Sequence, residues 1–537
     1  MSSTSVLPDA TPARDRPSVD HPTDKATRWG VLAVGALGLA FAAFSVWRDV
    51  DVSGAQTHSL LVYLLLAVAL FIALAFEFVN GFHDTANAVA TVIYTHALIP
   101  NYAVVWSGCW NFLGVLTSTG AVAFGIVSLL PVELILQVSS NAGFAMVFAL
   151  LIAAIIWNVG TWWLGLPASS SHTLIGSIIG VGVANALLNG RNGTSGVDWG
   201  QAVTIGEALL ISPIVGFVFS GLLLLVMKFL VRKPELYQEP KPGQAPPLWV
   251  RALLIFTCTG VSFAHGSNDG QKGMGLIMLI LIGTVPTTYA LNRAVPDSFL
   301  PQFAQTSAAA SKIIDSRAAG YAITGDPRPA VIGFVRDKRL EDGVYPALAA
   351  LMRDIADQVR GYGSLAAVPA DKVGNTRNDM YLTSEALRTL PKVQGSQLSP
   401  EDGKVLAKYK SSLDTSTKFI PTWVKIVVAL ALGLGTMIGW KRIVVTVGEK
   451  IGKTHLNYGQ GASAELVAMA TILAADQYGL PVSTTHVLSS GVAGTMAANG
   501  SGVQAETIRN IVLAWVLTLP CAILLSGTLY LIFSRIF

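Results

Sequence analysis

The sequence predicts an all-α polytopic membrane protein. It is built from two inverted-topology repeats of about five membrane segments each, with broken or re-entrant helices, plus one extra N-terminal helix. Three observations carry this reading. The chain of 537 residues is 52% hydrophobic and only 13% charged, with a mean hydropathy of +0.55, whereas a soluble domain carries about 25% charge. Long apolar runs recur along it, and about 20 such residues cross a bilayer. Finally, GLPASSSHTL at 165–174 returns as GLPVSTTHVL at 479–488.

In chain order, residues 1–28 are rich in Pro, Asp, Ser and Thr and read as a disordered tail. Balanced acidic and basic residues and no following cleavage pattern argue against a signal peptide. Residues 29–59 hold the extra helix, Trp29–Trp47, and a loop. The first repeat spans 60–230. Its opening run, Leu60–Leu98, is too long for one simple span and is interrupted at NGFHDTANA, residues 80–88. Further segments follow at Tyr102–Leu130, Phe144–Leu164, Leu174–Leu188 and Ala202–Leu230. Residues 231–251, Pro-rich and basic, form a cytoplasmic loop. The second repeat comprises 252–285 and 421–537. Its opening run is interrupted at AHGSNDGQKG, residues 264–273, and its later segments are Val424–Ile438, Ser463–Ala475, Val487–Ala498 and Ile511–Phe533. The charged stretch 286–420 is an extramembrane insertion.

Spacing supports duplication. Gly81 precedes Gly165 by 84 residues, and Gly266 precedes Gly479 by 213. The excess of 129 is close to the length of the insertion. Five segments per copy is an odd number, so the copies run in opposite directions. Basic residues in the N-terminal tail, in 228–251 and in 441–453 place these three on the cytoplasmic side, which leaves the insertion outside. Inverted repeats with interrupted helices are the architecture of secondary transporters.

The hydroxyl clusters Ser169, Ser170, Ser171 and Ser483, Thr484, Thr485 each follow a proline, Pro167 or Pro481, that suits a first helical turn. Hydroxyls and free N–H groups at a helix N-terminus hold an anion; in the alternative they cap helices or bond across them. Their occurrence in both copies favours the anion reading. His172 and His486 follow the hydroxyls and either contact the anion, relay a proton or bond a neighbouring carbonyl. Asp84 aligns with Asp269, and His83 with Asn268. Charge at membrane depth costs about 3 kcal/mol on insertion scales and marks function. Asp84, Asn87, Asn268 and Asp269 offer oxygen ligands for a small cation, or the aspartates exchange protons, or they cap a helix at a Gly-rich break. Lys272 stands where the first copy has Asn87 and either offsets an anion or pairs with an aspartate. Glu77 is a further site candidate, and Glu465 is placed near a helix end. Cys109, Cys258 and Cys521 show no CxxC pairing and read as buried small hydrophobes. The net charge of +4 and the lack of a basic, aromatic-interleaved cluster exclude nucleic-acid binding.

The segments NGFHDTANAVAT, AHGSNDGQKG, GLPASSSHT and GLPVSTTHVLSS, with IIWNVGTWWLGLP, TMIGWKRI and GEKIGK, resemble the signatures of the PiT family of inorganic phosphate transporters. The bacterial low-affinity type is nearest, and the resemblance runs from about Leu60 to the C-terminus. It implies symport of phosphate with a cation, a multi-pass location in a bacterial plasma (inner) membrane, and no enzymatic activity. The hydroxyl clusters are then phosphate-binding, and Glu77, His83, Asp84, Asn87, Asn268 and Asp269 serve cation or proton coupling. His172, His486 and Lys272 become proton-relay or anion contacts. Residues 1–58 fall outside the resemblance. His83 replaces the family's more usual Asn, which disfavours a sodium site and favours H+ over Na+. Members of that kind are associated with phosphate carried as a neutral complex with a divalent metal. No resident metal or cofactor is implied. Inorganic phosphate and membrane lipid are the expected partners, with a homodimer compatible.

The alternatives are a sodium-coupled symporter, or one for sulfate or arsenate. More remote are a passive channel and an intramembrane metalloenzyme using His83, His172, His265 and His486 with Asp84 and Asp269. No HExxH spacing supports the enzyme.

Overall fold

A computed structural model describes residues 25–53, 60–84, 86–130, 132–136, 140–241, 244–296, 298–318, 323, 325–396 and 398–536, without the side chains of 25–28, 86, 87 and 194. Most of the expected N-terminal tail lies outside these residues. Among the described residues there is no strand, only one antiparallel bridge between Gly452 and Val503. The fold class is therefore all-helical, as the apolar periodicity requires.

The first half contains α1 (Lys25–Val52), α2 (Leu60–Asp84), α3 (Ala86–Tyr94), α4 (Pro100–Thr117), α5 (Ala121–Val127), α6 (Val132–Leu136), α7 (Asn141–Trp163), α8 (Ser170–Leu188) and α9 (Trp199–Leu230). The second opens with α10 (Leu248–Thr284) and α11 (Pro286–Tyr289). The insertion follows as α12 (Phe299–Arg317), α13 (Arg328–Asp337), α14 (Val344–Tyr362), α15 (Ala370–Thr389) and α16 (Pro400–Thr417). The chain then resumes with α17 (Thr422–Met437), α18 (Lys441–Val445), α19 (Tyr458–Gln477), α20 (Thr484–Asn499) and α21 (Ala505–Phe533). Among the described residues, seven helical stretches are long and apolar enough to cross a membrane, or up to nine if each of two bent pairs is one span.

The two halves interlock. The second segment of each half packs on the first segment of the other, α4 on α10 and α17 on α2. Likewise α8 packs on α21, and α20 on α9. Glycines make the first of these crossings possible. A Cβ on Gly81 would lie 2.2 Å from the Leu432 carbonyl oxygen, and one on Gly435 would lie 2.1 Å from that of Phe78. The pseudo-equivalent contacts are Gly266 on Asn111, at 2.1 Å, and Gly114 on Phe263, at 2.2 Å. Small residues that let backbones meet are what membrane helices use to associate.

Several expectations are corrected. The second motif does not interrupt its helix: α10 runs unbroken through 264–273. Its glycines serve the crossing with α4, and its polar side chains find partners on neighbouring segments. In the first motif, α2 is described to Asp84 and α3 from Ala86, and the residue between them lies outside the described residues. Pro167 and Pro481 are not in a first turn, since the helix caps are Ser169 and Ser483, two residues later. Glu465 lies in the interior of α19, not near its end. Cys258 is buried, but Cys109 is exposed and Cys521 is half-buried. The extra helix is described from Lys25, so it takes in residues expected to belong to the tail, and it is tied to the second half by Asp49, which accepts from Tyr289 (2.9 Å) and Trp423 (3.0 Å).

The helices of 286–420 have their own apolar interior, including Phe303, Leu348, Met352 and Tyr409. They meet the membrane segments through ion pairs. Asp198 caps α9 by accepting from the Gln201 N–H at 3.1 Å and also binds Lys338 and, at 2.8 Å, Arg388. Arg377 and Asn378 reach the last carbonyls of α6.

Two outcomes follow from this packing. Gly266→Ala forces α10 away from α4, so the folded yield from detergent extraction, read by size-exclusion chromatography, is expected to fall sharply. Burial alone would raise the Asp198 carboxyl, but the hydrogen bonds from Lys338 and Arg388 hold it down, at about 2. Its stabilising charge is therefore present above the ordinary carboxylate range of about 4 and is lost as pH falls toward 2. Thermal melts should show Asp198→Asn less stable than the parent at pH 7, with the gap closing as the pH approaches 2.

Candidate functional site

The site lies where the two halves meet, and it is built around the end of α2. Asp84 is the last residue of that helix and is 3% exposed. Ser170 of the first hydroxyl cluster donates to its Oδ2 at 2.5 Å. Thr485 of the second cluster donates to its Oδ1 at 2.7 Å. The anion that both clusters bind here is thus the protein's own carboxylate. His83 Nδ1 lies 2.9 Å from Asp84 Oδ1, and its Nε2 lies 3.1 Å from Thr161 Oγ1. Thr161 directs its own proton to the Trp157 and Asn158 carbonyls. Both ring nitrogens of His83 therefore face oxygens.

Across the interface, α10 places His265, Asp269 and Lys272 on one face, at i, i+4 and i+7. Lys272 Nζ is 2.8 Å from Asp269 Oδ2, with both side chains fully buried, and donates to Ser170 Oγ at 3.4 Å. His265 Nε2 lies 3.3 Å from the same Asp269 oxygen, while its Nδ1 is 2.7 Å from Asn111 Oδ1. One donor atom each from Asp84, His265 and Asp269 lie within 4.8 Å of one another. Carboxylate and imidazole together form a set that suits a divalent ion.

The remaining predicted residues divide by what they bond. Ser169 and Ser483 are N-caps, accepting from the His172 and His486 N–H groups at 3.2 and 3.1 Å. Ser171 donates to the Val482 carbonyl at 2.8 Å, tying one re-entrant segment to the other. Asn268 holds the second re-entrant segment from both ends of its amide, donating to Leu480 at 3.1 Å and accepting from the Val482 N–H at 3.4 Å. In this arrangement Asn268 positions the segment at 480–482. Thr484 Oγ1 has no hydrogen-bond partner among the described residues, nor do His172 Nδ1, His486 Nε2 and Glu77 Oε1. The rings of His172 and His486 lie 4.6 Å apart, so two residues 314 positions apart in the chain become neighbours, and His486 stacks on Trp515 at 4.0 Å. Glu77 packs against Gly273 of α10, where a Cβ would lie 2.3 Å from its Cγ. The Asn87 side chain lies outside the described residues.

Residues that sequence reasoning missed include Asp476, which accepts from Ser267 and Gln271, each at 2.7 Å, and Thr161 behind His83. Glu465 receives the hydroxyls of Thr91 and Thr257, from α3 and α10. Its carboxylate in a long apolar helix was the signal available for a role beyond a helix end.

Inverted halves that meet at buried carboxylates and re-entrant helix N-termini define a secondary transporter. The model described as "Phosphate transporter family" matches residues 80–526, and the chain belongs to that family. It is a transporter and not an enzyme. "Low-affinity inorganic phosphate transporter PitA" of Escherichia coli (strain K12) is 42% identical over 494 residues, covering 87% of this chain and 96% of its own. PitB of the same organism is 42% identical over 488 residues, with the same coverages. A "Probable low-affinity inorganic phosphate transporter" of Bacillus subtilis (strain 168) is 28% identical, covering 89% of this chain and 99% of its own. A solved structure described as "The sodium-dependent phosphate transporter" aligns with a TM-score of 0.49 and 20% identity, over 88% of this chain and 100% of that one. That likeness is too distant to bear on the coupling ion.

A hydrogen bond to a buried charge contributes about 1.5–3 kcal/mol. Thr485→Ala and Ser170→Ala are therefore each expected to lower the phosphate uptake rate of proteoliposomes roughly tenfold or more, with Thr485→Ser restoring most of it. Uptake unchanged in both alanine variants would remove Asp84 from the centre of the site.

Proposed function

We propose that this multi-pass inner-membrane protein is a low-affinity inorganic phosphate symporter driven by protons, carrying phosphate as a neutral complex with a divalent metal. The observation that carries the reading is the Asp84–His83 pair inside the hydroxyl seam. The imidazole sits between a carboxylate and a threonine oxygen that accepts. Histidine is the side chain suited to proton relay, whereas imidazole is a poor partner for sodium. The hydroxyls of Ser170, Thr484 and Thr485 beside it are donors without formal charge, which bind an oxyanion and let it go. Asp84, His265 and Asp269 supply the mixed oxygen and nitrogen set that a cargo metal prefers. Metal and phosphate together carry little net charge, which lowers the electrostatic cost of passing through the membrane.

The test is uptake of radiolabelled phosphate into proteoliposomes with separately imposed gradients. An inward proton gradient with Mg2+ present is expected to drive accumulation, and chelating the metal is expected to suppress it. A sodium gradient at equal pH is expected to do nothing; accumulation under that condition would replace the proton by sodium. Excess unlabelled sulfate should not compete. Asp84→Asn and Asp269→Asn are each expected to abolish gradient-driven uptake while the protein still elutes as a folded species.

A further inference from the structure

Lys272 is a fully buried ammonium in the middle of the site. Its side chain is fully enclosed, its ammonium sits on Asp269 Oδ2 at 2.8 Å, and Ser170 Oγ is 3.4 Å away. It therefore stands between a carboxylate of the metal-suited trio and a hydroxyl of the anion-suited cluster.

The two halves differ at this point. By repeat alignment, Ser170 corresponds to Thr484 and Ser171 to Thr485, so the arrangement at Asp84, which receives Ser170 and Thr485, has a counterpart in which Asp269 receives Thr484 and Ser171. That counterpart is not formed. Ser171 donates to Val482 instead, Thr484 Oγ1 has no partner among the described residues, and Asp269 is held by Lys272 and His265. The first half carries Asn87 where the second carries Lys272 and Asn80 where it carries His265, so the ammonium, together with the imidazole, breaks the equivalence.

We propose that Lys272 and Asp269 form an exchangeable ion pair: the metal of the cargo takes Asp269, the phosphate of the cargo takes Lys272, and the two are accepted only together. The inference rests on the metal-phosphate reading above. Charge is conserved in the exchange, since one cation–anion pair within the protein and one within the cargo become two pairs between them. No covalent bond forms or breaks. Either ion alone leaves a buried partner uncompensated: phosphate by itself strips Lys272 from Asp269, and metal by itself leaves the ammonium facing no anion. Breaking a buried pair from one side is strongly unfavourable. The linked sites therefore favour metal and phosphate jointly over either alone, which is a coupling free energy between two ligands. Ser170 bridges the two ends of the device, because it touches both Lys272 and Asp84. The free hydroxyl of Thr484 is a further donor to the arriving phosphate.

Equilibrium binding tests this independently of transport. The full-length protein in detergent is melted with MgCl2 alone, with potassium phosphate alone, and with both, each at matched ionic strength. Wild type is expected to shift little with either ion and by several degrees with both. Lys272→Met frees Asp269 and removes the anion's partner, so Mg2+ alone is expected to raise the melting temperature and phosphate to add nothing. Lys272→Arg is expected to keep the joint response. The double variant Lys272→Met/Asp269→Asn, which leaves no unpaired charge and so guards against misfolding of the single variant, is expected to lose the response to both ions. A Mg2+ response in Lys272→Met that still requires phosphate overturns the exchange. Wild type that responds to phosphate fully without metal overturns the metal-phosphate reading itself, which the variants cannot mimic.

Discussion

A buried carboxylate that takes one hydroxyl from each half of the molecule is the interaction on which this structure depends. Asp84 ends α2, yet its oxygens are held by Ser170 from α8 and Thr485 from α20. An isolated carboxylate at membrane depth is unfavourable by several kcal/mol. Here its hydrogen bonds also join segments that are far apart in sequence. Anything that loosens the meeting of α8 and α20 exposes that charge, and anything that neutralises the charge loosens the meeting.

The interlocked packing makes such an arrangement possible. Because each half's second segment lies on the other half's first, neither half can close its own interior. The pseudo-equivalent glycines Gly81 and Gly266 sit three residues before Asp84 and Asp269, so the closest backbone approach in each crossing is one turn from the carboxylate. The spacing Gly-x-x-Asp therefore carries two messages at once, a contact and a charge, which is why the motif is recognisable although most of its neighbours are ordinary apolar residues. The insertion attaches at the edge of this assembly, through Asp198 and the last carbonyls of α6, and leaves the interior of the seam to the two repeats.

How much of this could be read in the sequence depended on whether the signal was local. The duplicated hydroxyl clusters and the long apolar runs are local or periodic, and the helices follow them closely. The break expected in α10 was read from composition alone. Glycine and polar residues in an apolar run have two physical causes, an interrupted helix or a close crossing, and only the neighbour decides between them. Asn111 and Val115 of α4 are that neighbour, 155 residues away in the case of Gly266 and Asn111. Asn268 presents the same difficulty: an amide suits a cation or two backbone groups equally well, and its bonds to the segment at 480–482 appear only once that segment is folded beside it. Asp476 was passed over because it stands at a helix end, where a carboxylate is unremarkable until Ser267 and Gln271 are brought to it.

The difference between the halves is the feature that symmetry arguments alone would hide. Inversion of a duplicated unit places like residues opposite one another, and His172 beside His486 shows that the pseudo-axis passes through the site. A perfectly symmetric pair of aspartates would present two equal negative charges to an incoming anion, and both would oppose it. Replacing the counterpart of Asn87 by Lys272 converts one of them into a neutral pair and leaves the other to the hydroxyls and His83. The duplicated frame thus supplies two helix N-termini facing each other, and Lys272, His265 and His83 make the surroundings of the two aspartates unequal. A site with two unlike ends orients an ion pair, and one with two like ends does not. The departure from symmetry is therefore what gives the two aspartates different partners, hydroxyls and His83 for one and Lys272 with His265 for the other.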